Sequence, residues 1–289
     1  MAIQSIGNLV DAENNGYYQF STWRKSPTQG SAIGVWQDLS MSAGNPVPNY
    51  YAASPTIAIG LAQSTDGGIY HGGAAPAGKT KYLKDLMAMS VTAGVVPMEL
   101  MLCDYLMYYP FMDMSVIGEQ DTTTNIPLPR YPTGAGCQIM AVEVEPQSGV
   151  GNPQFYLTYT NSSGTTGRTT RLVACNTQVA TGSIITSDKA TNLCAGPFIP
   201  LQPGDTGVQS IQSIWMTGTG DVGLITLVIV KPLATMTIRG IDAPVERSFA
   251  IDFAVLPTIQ PDAYLNFLCH PSATLAASAI HGTANFIWG

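Results

Sequence analysis

The sequence Gly223-Leu-Ile-Thr-Leu-Val-Ile-Val-Lys231 holds the longest apolar, β-branched run of the chain. Asp221 precedes it, and Pro232 follows it. Side chains of a strand alternate between its two faces, so a run that is apolar at nearly every position must be covered on both sides. We therefore predict that this run is a central strand of a β-sandwich and that it ends at Pro232.

The C-terminal part of the chain, residues 116–289, predicts further strands around that one. Short segments rich in β-branched and aromatic residues alternate with turns rich in Gly, Asn and Pro, which is typical of an antiparallel β-sandwich or jelly roll. The fold class that we predict is mainly β, with a jelly-roll-like core. The other predicted strands are Gln138–Glu145, Gln154–Thr160, Arg168–Cys175, Val208–Thr217, Thr235–Arg239, Arg247–Val255, Ala263–Cys269 and Asn285–Trp288.

Residues 80–115 carry a different pattern. Thr80 is a possible N-cap, and Leu83, Leu86 and Met87 follow at helical spacing. Apolar residues recur at helical spacing again after Pro97, a residue that suits the first position of a helix. The pattern predicts two short helices packed on the β core.

Residues 1–79 are interrupted by Pro or Gly every few positions, which disfavours long helices and central strands. Aromatic residues recur through the segment. We predict an extended arm that lies on a neighbouring molecule, with an irregular cap on the chain's own core as the alternative. The candidate interface residues are Tyr17, Tyr18, Phe20, Trp23, Trp36, Tyr50 and Tyr51.

Composition restricts the function. Charged residues make up 11% of the chain, against about 25% in typical domains. A surface so poor in charge indicates contact with other protein, and a net charge of -7 disfavours nucleic acid as a partner. The sequence shows neither a signal peptide nor an apolar stretch long enough to span a membrane, so no membrane partner is expected.

The cysteines predict neither a disulfide framework nor a zinc site. They are odd in number, and no two of them form a CxxC pair. We expect buried, reduced thiols that act as small apolar side chains. The five residues are Cys103, Cys137, Cys175, Cys194 and Cys269.

One motif matches a nucleotide-binding signature. Gly73-Ala-Ala-Pro-Ala-Gly78-Lys79-Thr80 fits the P-loop pattern, in which backbone N–H groups and Lys79 would hold phosphates and Thr80 would hold magnesium. The loop should leave a buried parallel strand, but the preceding residues are polar and Gly-rich, and alternating β and α units are lacking. We predict a flexible loop that ends in a helix cap, and no cofactor.

Other candidate chemistry is sparse. His71, His270 and His281 lack a recognisable nucleophile partner, and no metal-ligand spacing is present. Glu143 and Glu145 share one strand face, which we interpret as a solvated or interface face, paired with Arg168 or Arg171 on a nearby strand. No catalytic residue is predicted, and the chain is not expected to be an enzyme.

Several loop segments resemble virion structural proteins of tailed bacteriophages. They are Trp36-Gln-Asp-Leu-Ser-Met-Ser-Ala-Gly-Asn-Pro-Val-Pro-Asn-Tyr-Tyr51, Leu102-Cys-Asp-Tyr-Leu-Met-Tyr-Tyr-Pro-Phe-Met-Asp113, Leu128-Pro-Arg-Tyr131 and Gly134-Ala-Gly136. The resemblance implies a non-enzymatic particle component. Decoration proteins of this kind often combine a β-sandwich or jelly roll with an extended arm that clamps neighbouring capsomers.

From that resemblance we expect a capsid decoration or cement protein that stabilises the head through contacts between subunits. It would be a homo-oligomer located in the virion, assembled in the host cytoplasm. Its partners would be the major capsid protein or other virion proteins. The alternatives are a tail or neck protein that binds a receptor or carbohydrate, and a nucleotide-binding protein that uses Lys79.

Overall fold

The computed structural model describes residues 3–27, 30–31, 34–151, 153–175, 180–185, 187–188, 196–252 and 256–289. Its helices are α1 (Ile6–Asn14), α2 (Gln63–Asp66) and α3 (Phe249–Asp252). The strands are β1 (Tyr18–Ser26), β2 (Gln37–Asp38), β3 (Ala43–Asn45), β4 (Ile59–Gly60), β5 (Lys81–Ser90), β6 (Met98–Asp113), β7 (Gly118–Asp121), β8 (Gln138–Glu145), β9 (Gln154–Asn161), β10 (Arg168–Thr169), β11 (Val173–Ala174), β12 (Ile184–Ile185), β13 (Ser187–Asp188), β14 (Val208–Thr217), β15 (Leu224–Ile238), β16 (Val245–Ser248), β17 (Thr258–Ile259), β18 (Tyr264–His270) and β19 (Ile280–Trp288).

The strands form three antiparallel sheets. The central sheet has the order β12-β8-β15-β6-β18-β2, with β4 also paired to β6. The first flanking sheet has the order β16-β5-β19-β1-β3, with β17 beside β5. The second flanking sheet has the order β13-β11-β9-β14-β7, with β10 beside β9. The prediction of a mainly β, antiparallel sandwich is confirmed.

β15 is the central strand that the apolar run predicted, because β8 and β6 pair with its two sides. It does not end at Pro232, as predicted, but continues to Ile238. Proline is tolerated in a strand at a bulge or where one side has no partner. Here the register with β6 shifts between Pro232 and Ala234, and the pairing with β8 stops at Val230.

Both flanking sheets pack on the same face of the central sheet. Along β6, Leu100 and Leu102 lie in a core shared with the first flanking sheet, whereas Leu106 lies in a core shared with the second. Cys103 and Tyr105 point to the opposite face. The two long strands β6 and β15 therefore connect two sandwiches, because each strand contributes side chains to both cores.

The segment between β1 and α2 covers the opposite face of the central sheet. Trp36, Met41, Tyr51 and Leu61 are buried there in a third apolar cluster. Within it, Asp38 accepts hydrogen bonds from Ser40, Tyr51 and Tyr105. The strand β15 is thus covered on both sides, as its sequence required.

The predicted helical pair in residues 80–115 is wrong, because the segment forms β5 and β6. Every residue of β6 from Leu102 to Pro110 is buried. A strand buried on both faces is apolar at almost every position, so the same residues also satisfy a helical spacing. The length of the segment did not distinguish a strand from a helix either, because β6 has 16 residues, a length more typical of a helix.

The extended arm predicted for residues 1–79 is also wrong. β1 lies inside the first flanking sheet, where β19 pairs with one side and β3 with the other. β4 pairs with β6 of the central sheet. The alternative, a segment that covers the chain's own core, describes the structure better. The predicted divisions at 79/80 and 115/116 separate strands that share a sheet.

Most of the other strand predictions agree with the structure, and β8 and β14 have the predicted bounds. The predicted strand Arg168–Cys175 is divided into β10 and β11. The predicted strand Arg247–Val255 becomes the end of β16 and then α3, and its last three residues lie outside the described part of the chain. The thiol prediction is confirmed for four buried, free cysteines, while Cys194 lies outside the described residues.

Candidate assembly surfaces and buried polar sites

The P-loop match is a loop that leads into a strand. The backbones of Thr80 and Gly289 exchange two hydrogen bonds, of 2.8 and 3.0 Å. The Lys79 ammonium lies 4.1 Å from the ring centre of Tyr17. Because β5 follows directly, the helix N-terminus that a P-loop needs is missing and the predicted helix cap is wrong. The loop fastens the C-terminal end of the chain instead.

His71 and Lys81 form a buried basic pair beside this loop. The Lys81 Nζ atom lies 2.7 Å from His71 Nδ1, and His71 Nε2 lies 3.2 Å from the carbonyl oxygen of Ala263. The imidazole therefore donates through Nε2 and accepts from the ammonium through Nδ1. Burial and the nearby Lys81 charge lower the pKa of His71 to about 4, and burial lowers the pKa of Lys81 to about 8.

This pair predicts a loss of stability in acid. The folded-state pKa of His71, about 4, lies below its ordinary value of 6.5. The unfolded chain therefore takes up the proton first, and the free energy of unfolding falls as the pH falls through that interval. We expect His71→Gln to have a shallower pH dependence there, measured by urea unfolding, with His281→Gln as the control. An equal slope in wild type and His71→Gln would contradict this assignment.

Three of the seven candidate interface aromatics are core residues, so their predicted interface role is wrong. The Trp23 ring lies 4.3 Å from that of Phe267, measured between ring centroids. Trp36 stacks on His270 at 5.1 Å. Tyr51 is fully buried and donates to Asp38. Tyr17 is partly buried against the first core.

Tyr18, Phe20 and Tyr50 are exposed, at 56%, 55% and 58%. Tyr18 and Phe20 project from β1 on the side away from the core, because Trp23 and the other alternate residues point inward. The neighbouring outward positions are Thr283 and Asn285 on β19 and the half-buried Met87 and Met89 on β5. Thr22 of β1 points to the same side, whereas Tyr50 is not part of this sheet. We call the following seven residues the outer face of the first flanking sheet: Tyr18, Phe20, Thr22, Met87, Met89, Thr283 and Asn285.

A second exposed apolar surface lies where three loops meet. Val150 is 91% exposed, Val222 59% and Ile117 54%. Asp221 holds the loops together, because it accepts hydrogen bonds from Ser148 and from the Gly149 N–H and its own N–H donates to the Met114 carbonyl. Sequence reasoning missed this surface, since each loop contributes only one or two aliphatic residues.

A groove of about 690 Å³ follows the half of β15 that β8 does not pair with. Thr235 and Met236 of β15 form one wall, and Val245 and Glu246 of β16 form another. The Arg247 guanidinium donates to the Thr235 carbonyl, so that carbonyl points into the groove and not toward β6. An open strand edge of this kind is able to pair with another chain.

The carboxylates Glu143 and Glu145 do not share a polar face, which corrects the sequence interpretation. Glu143 is fully buried and Glu145 is exposed. Arg168, the predicted partner, instead binds Asp205 at 2.9 and 3.1 Å. Burial, together with the charge of Asp221, raises the pKa of Glu143 to about 9. The carboxyl group is therefore protonated at neutral pH.

Within the described ranges, no three His, Cys, Asp or Glu side chains are grouped as ligands of one metal ion. None of the helices in that part of the chain is both long and apolar enough to cross a membrane.

Comparisons with known proteins find no matching family model and no matching curated protein. Among solved structures, the chain shows slight similarity to the VP2 subviral particle of infectious bursal disease virus, with a TM-score of 0.18 and 13% identity over 93% of this chain and 80% of that chain. The Gx strain of the same virus gives a TM-score of 0.15 and 10% identity over 94% of this chain and 80% of that chain. Scores in this range do not establish a shared fold. The structure defines the chain as a mainly β protein of two sandwiches joined through one central sheet.

Proposed function

We propose that the chain is a structural subunit of a virus particle, a capsid decoration or cement protein of a tailed bacteriophage that stabilises the head. The outer face of the first flanking sheet is the observation that carries this proposal. Two aromatic side chains, Tyr18 and Phe20, stand more than half exposed there on a strand in the interior of a sheet. Exposed aromatic residues on a rigid surface are typical anchors of protein interfaces.

The charge distribution supports the same function. The seven residues of the outer face are uncharged, and the charged residues on the same side of the sheet, Arg24, Asp85 and Glu246, lie around them. Charged residues are depleted from the centres of protein interfaces, whereas the rims of interfaces are polar. Self-association through this face would be repeated around a symmetric shell. Many copies of the same contact would then raise the overall avidity of the protein for the particle. The other partners in the particle would be the major capsid protein or further virion proteins.

A paired substitution tests the role of this face. We expect Tyr18→Ser with Phe20→Ser to weaken self-association or incorporation into particles by more than about tenfold, because truncation of a central interface aromatic residue typically costs about 2 kcal/mol or more. The measurement is sedimentation velocity together with particle incorporation. Trp215→Ser is the matched control, since Trp215 is 39% exposed on the second flanking sheet. Undiminished assembly of the double variant would exclude this face.

A second candidate function is carbohydrate or receptor binding by a tail or neck protein. One observation favours it: Tyr156 and Trp215 are directly opposite on β9 and β14, and their rings are stacked 6.2 Å apart with an interplanar angle of 8°. A glycan array distinguishes the two functions. Binding that is lost in Trp215→Ser and kept in the Tyr18/Phe20 variant would support the tail or neck protein.

A further inference from the structure

The central sheet has an open strand edge where the groove of about 690 Å³ runs. β8 pairs with β15 only as far as Val230, and beyond that residue β6 is the pairing partner of β15 among the described strands. The Thr235 carbonyl faces the groove, because it accepts a hydrogen bond from the Arg247 guanidinium. Alternate residues of a strand direct their backbone groups to the same side, so the N–H and carbonyl of Thr237 face the groove as well.

Side chains from both faces of β15 line this groove. Met236 belongs to the first core, whereas Thr235 and Thr237 point to the other side of the strand, and all three line the groove. The groove therefore follows the edge of β15 and not one of its faces. Backbone N–H and carbonyl groups at such an edge are matched by another extended main chain, which is how peptides add a strand to a sheet.

The dimensions of the groove suit a single extended segment and not a second folded sheet. Val245 and Glu246 of β16 form a wall beside the edge of β15. The open edge covers residues 235–239, about 16 Å of strand. An interface between two folded proteins buries about 800 Å² on each partner, which is more than so short an edge beside a wall offers. A volume of about 690 Å³ is in the usual range for a site that encloses a small ligand.

The side of the groove next to the first core determines which side chains the segment should carry. Met236 and Val245 line it there, which favours an apolar side chain beside them. Arg247 shares that side of β16 with Val245, because alternate residues of a strand point the same way. The guanidinium reaches the Thr235 carbonyl, so an acidic side chain near Thr235 would meet a positive charge.

The opposite side of the groove favours neither sign of charge. Glu99 and Glu246 point away from the first core, because each is next to a core residue in its strand. Arg239, directly after β15, adds a positive charge at the end of the groove. The apolar position beside Met236 and the acidic position beside Arg247 are therefore the two that distinguish one peptide from another.

We propose that this groove binds an extended peptide segment of a partner protein as an added strand along β15, antiparallel like the other pairs of the sheet. The peptide backbone pairs with Thr235 and Thr237. An apolar side chain of the peptide lies beside Met236, and an acidic side chain two positions further along pairs with Arg247. A backbone N–H of the peptide then replaces the guanidinium at the Thr235 carbonyl. The inference goes beyond the proposed function and does not depend on the outer face.

Fluorescence anisotropy with labelled synthetic peptides and the full chain tests the proposal. The probe is the peptide Ser-Thr-Val-Thr-Asp-Thr-Ser, blocked at both ends, in which valine is the apolar residue and aspartate the acidic one. Its counterparts carry asparagine or lysine in place of aspartate, or serine in place of valine. We expect saturable binding of the probe, about threefold weaker binding of the asparagine peptide, and weaker binding again of the lysine and serine peptides.

Two variants of the chain test the two parts of the site. Thr237→Pro removes an N–H that faces the groove and leaves the pairing with β6 intact, so it should weaken binding of the probe by about tenfold or more. Thr237→Val is the matched control, because it keeps the N–H, and it should bind like wild type. Arg247→Glu should reverse the preference, so that the lysine peptide binds better than the probe, and it provides a second test if Thr237→Pro fails to fold. Arg24→Gln, which removes an exposed charge from β1, should keep the wild-type preference.

Several results would overturn the proposal. They are absence of probe binding by wild type, undiminished binding by a folded Thr237→Pro variant, and an unchanged preference in Arg247→Glu. Self-association that Thr237→Pro abolishes in sedimentation velocity, without binding of any peptide, would also overturn it, because the edge would then belong to a second copy of the chain. The Tyr18/Phe20 double variant should bind the probe like wild type, so failure of the outer face and failure of the groove are distinguishable.

Discussion

Replacing Arg130 with alanine is expected to lower the free energy of unfolding by about 3–5 kcal/mol, since it leaves a buried carboxylate without its partner. Arg130 forms two hydrogen bonds with Asp104, of 2.7 and 3.0 Å. It also donates to the carbonyls of Leu61 and Tyr105, at 2.7 and 2.8 Å. The Asp104 side chain is fully buried, and that of Arg130 is 9% exposed.

The position of this pair explains the size of the effect. Asp104 lies on β6 between Leu102 of the first core and Leu106 of the second core. Burial raises the pKa of Asp104 to about 6 in spite of Arg130, so the carboxylate is charged at neutral pH. Without the guanidinium, a charge at the junction of the two sandwiches would have neither water nor a counter-ion.

Urea unfolding at neutral pH measures this loss. Arg168→Ala is the matched control, because it breaks the more exposed pair with Asp205 and should have a much smaller effect. The double variant Asp104→Leu with Arg130→Met should recover most of the stability, since apolar residues can replace a buried pair. If Arg130→Ala were no less stable than Arg168→Ala, Arg130 would not hold the junction.

The second large effect has the opposite sign. We expect Glu143→Gln to raise the free energy of unfolding at neutral pH by up to about 3 kcal/mol. The pKa of Glu143 is about 9 in the folded chain, against the ordinary value of 4.5. The folded state therefore keeps a proton that the unfolded state releases, and wild type loses stability as the pH rises from about 4.5 to about 9. Glutamine has no proton to lose, so its curve stays flat.

The measurement is the free energy of unfolding in urea across that pH interval. Glu145→Gln, which alters an exposed carboxylate on the same strand, should keep the wild-type slope. Parallel curves for wild type and Glu143→Gln would show that Glu143 is not buried in the neutral form.

The sequence predicted the fold class because the apolar, β-branched run at the start of β15 is typical of a strand that is covered on both faces. It did not predict the end of that strand, since a bulge at Pro232 depends on where β8 stops. The apolar pattern of β6 fits a buried helix and a buried strand equally well. Only its partners β15 and β18 decide between them.

The surfaces and buried sites were less predictable than the fold. Tyr18 and Phe20 were among the predicted interface residues, but so was Trp23, and only the pairing of β1 shows which of them point outward. Asp104 and Arg130 are 26 residues apart, and nothing in their local sequence marks them as a buried pair. Glu143 was likewise interpreted as part of a solvated or interface face, and nothing in its local sequence marks its complete burial.

Sedimentation velocity of the purified full chain over a wide concentration range, with electron microscopy of the same samples, tests the proposed structural function most directly. A decoration protein that associates with its own copies through the outer face should form discrete assemblies heavier than the 30.6 kDa chain. Those assemblies should disappear in the Tyr18/Phe20 double variant. A homogeneous monomer at every concentration, unchanged by the double variant, would contradict the account.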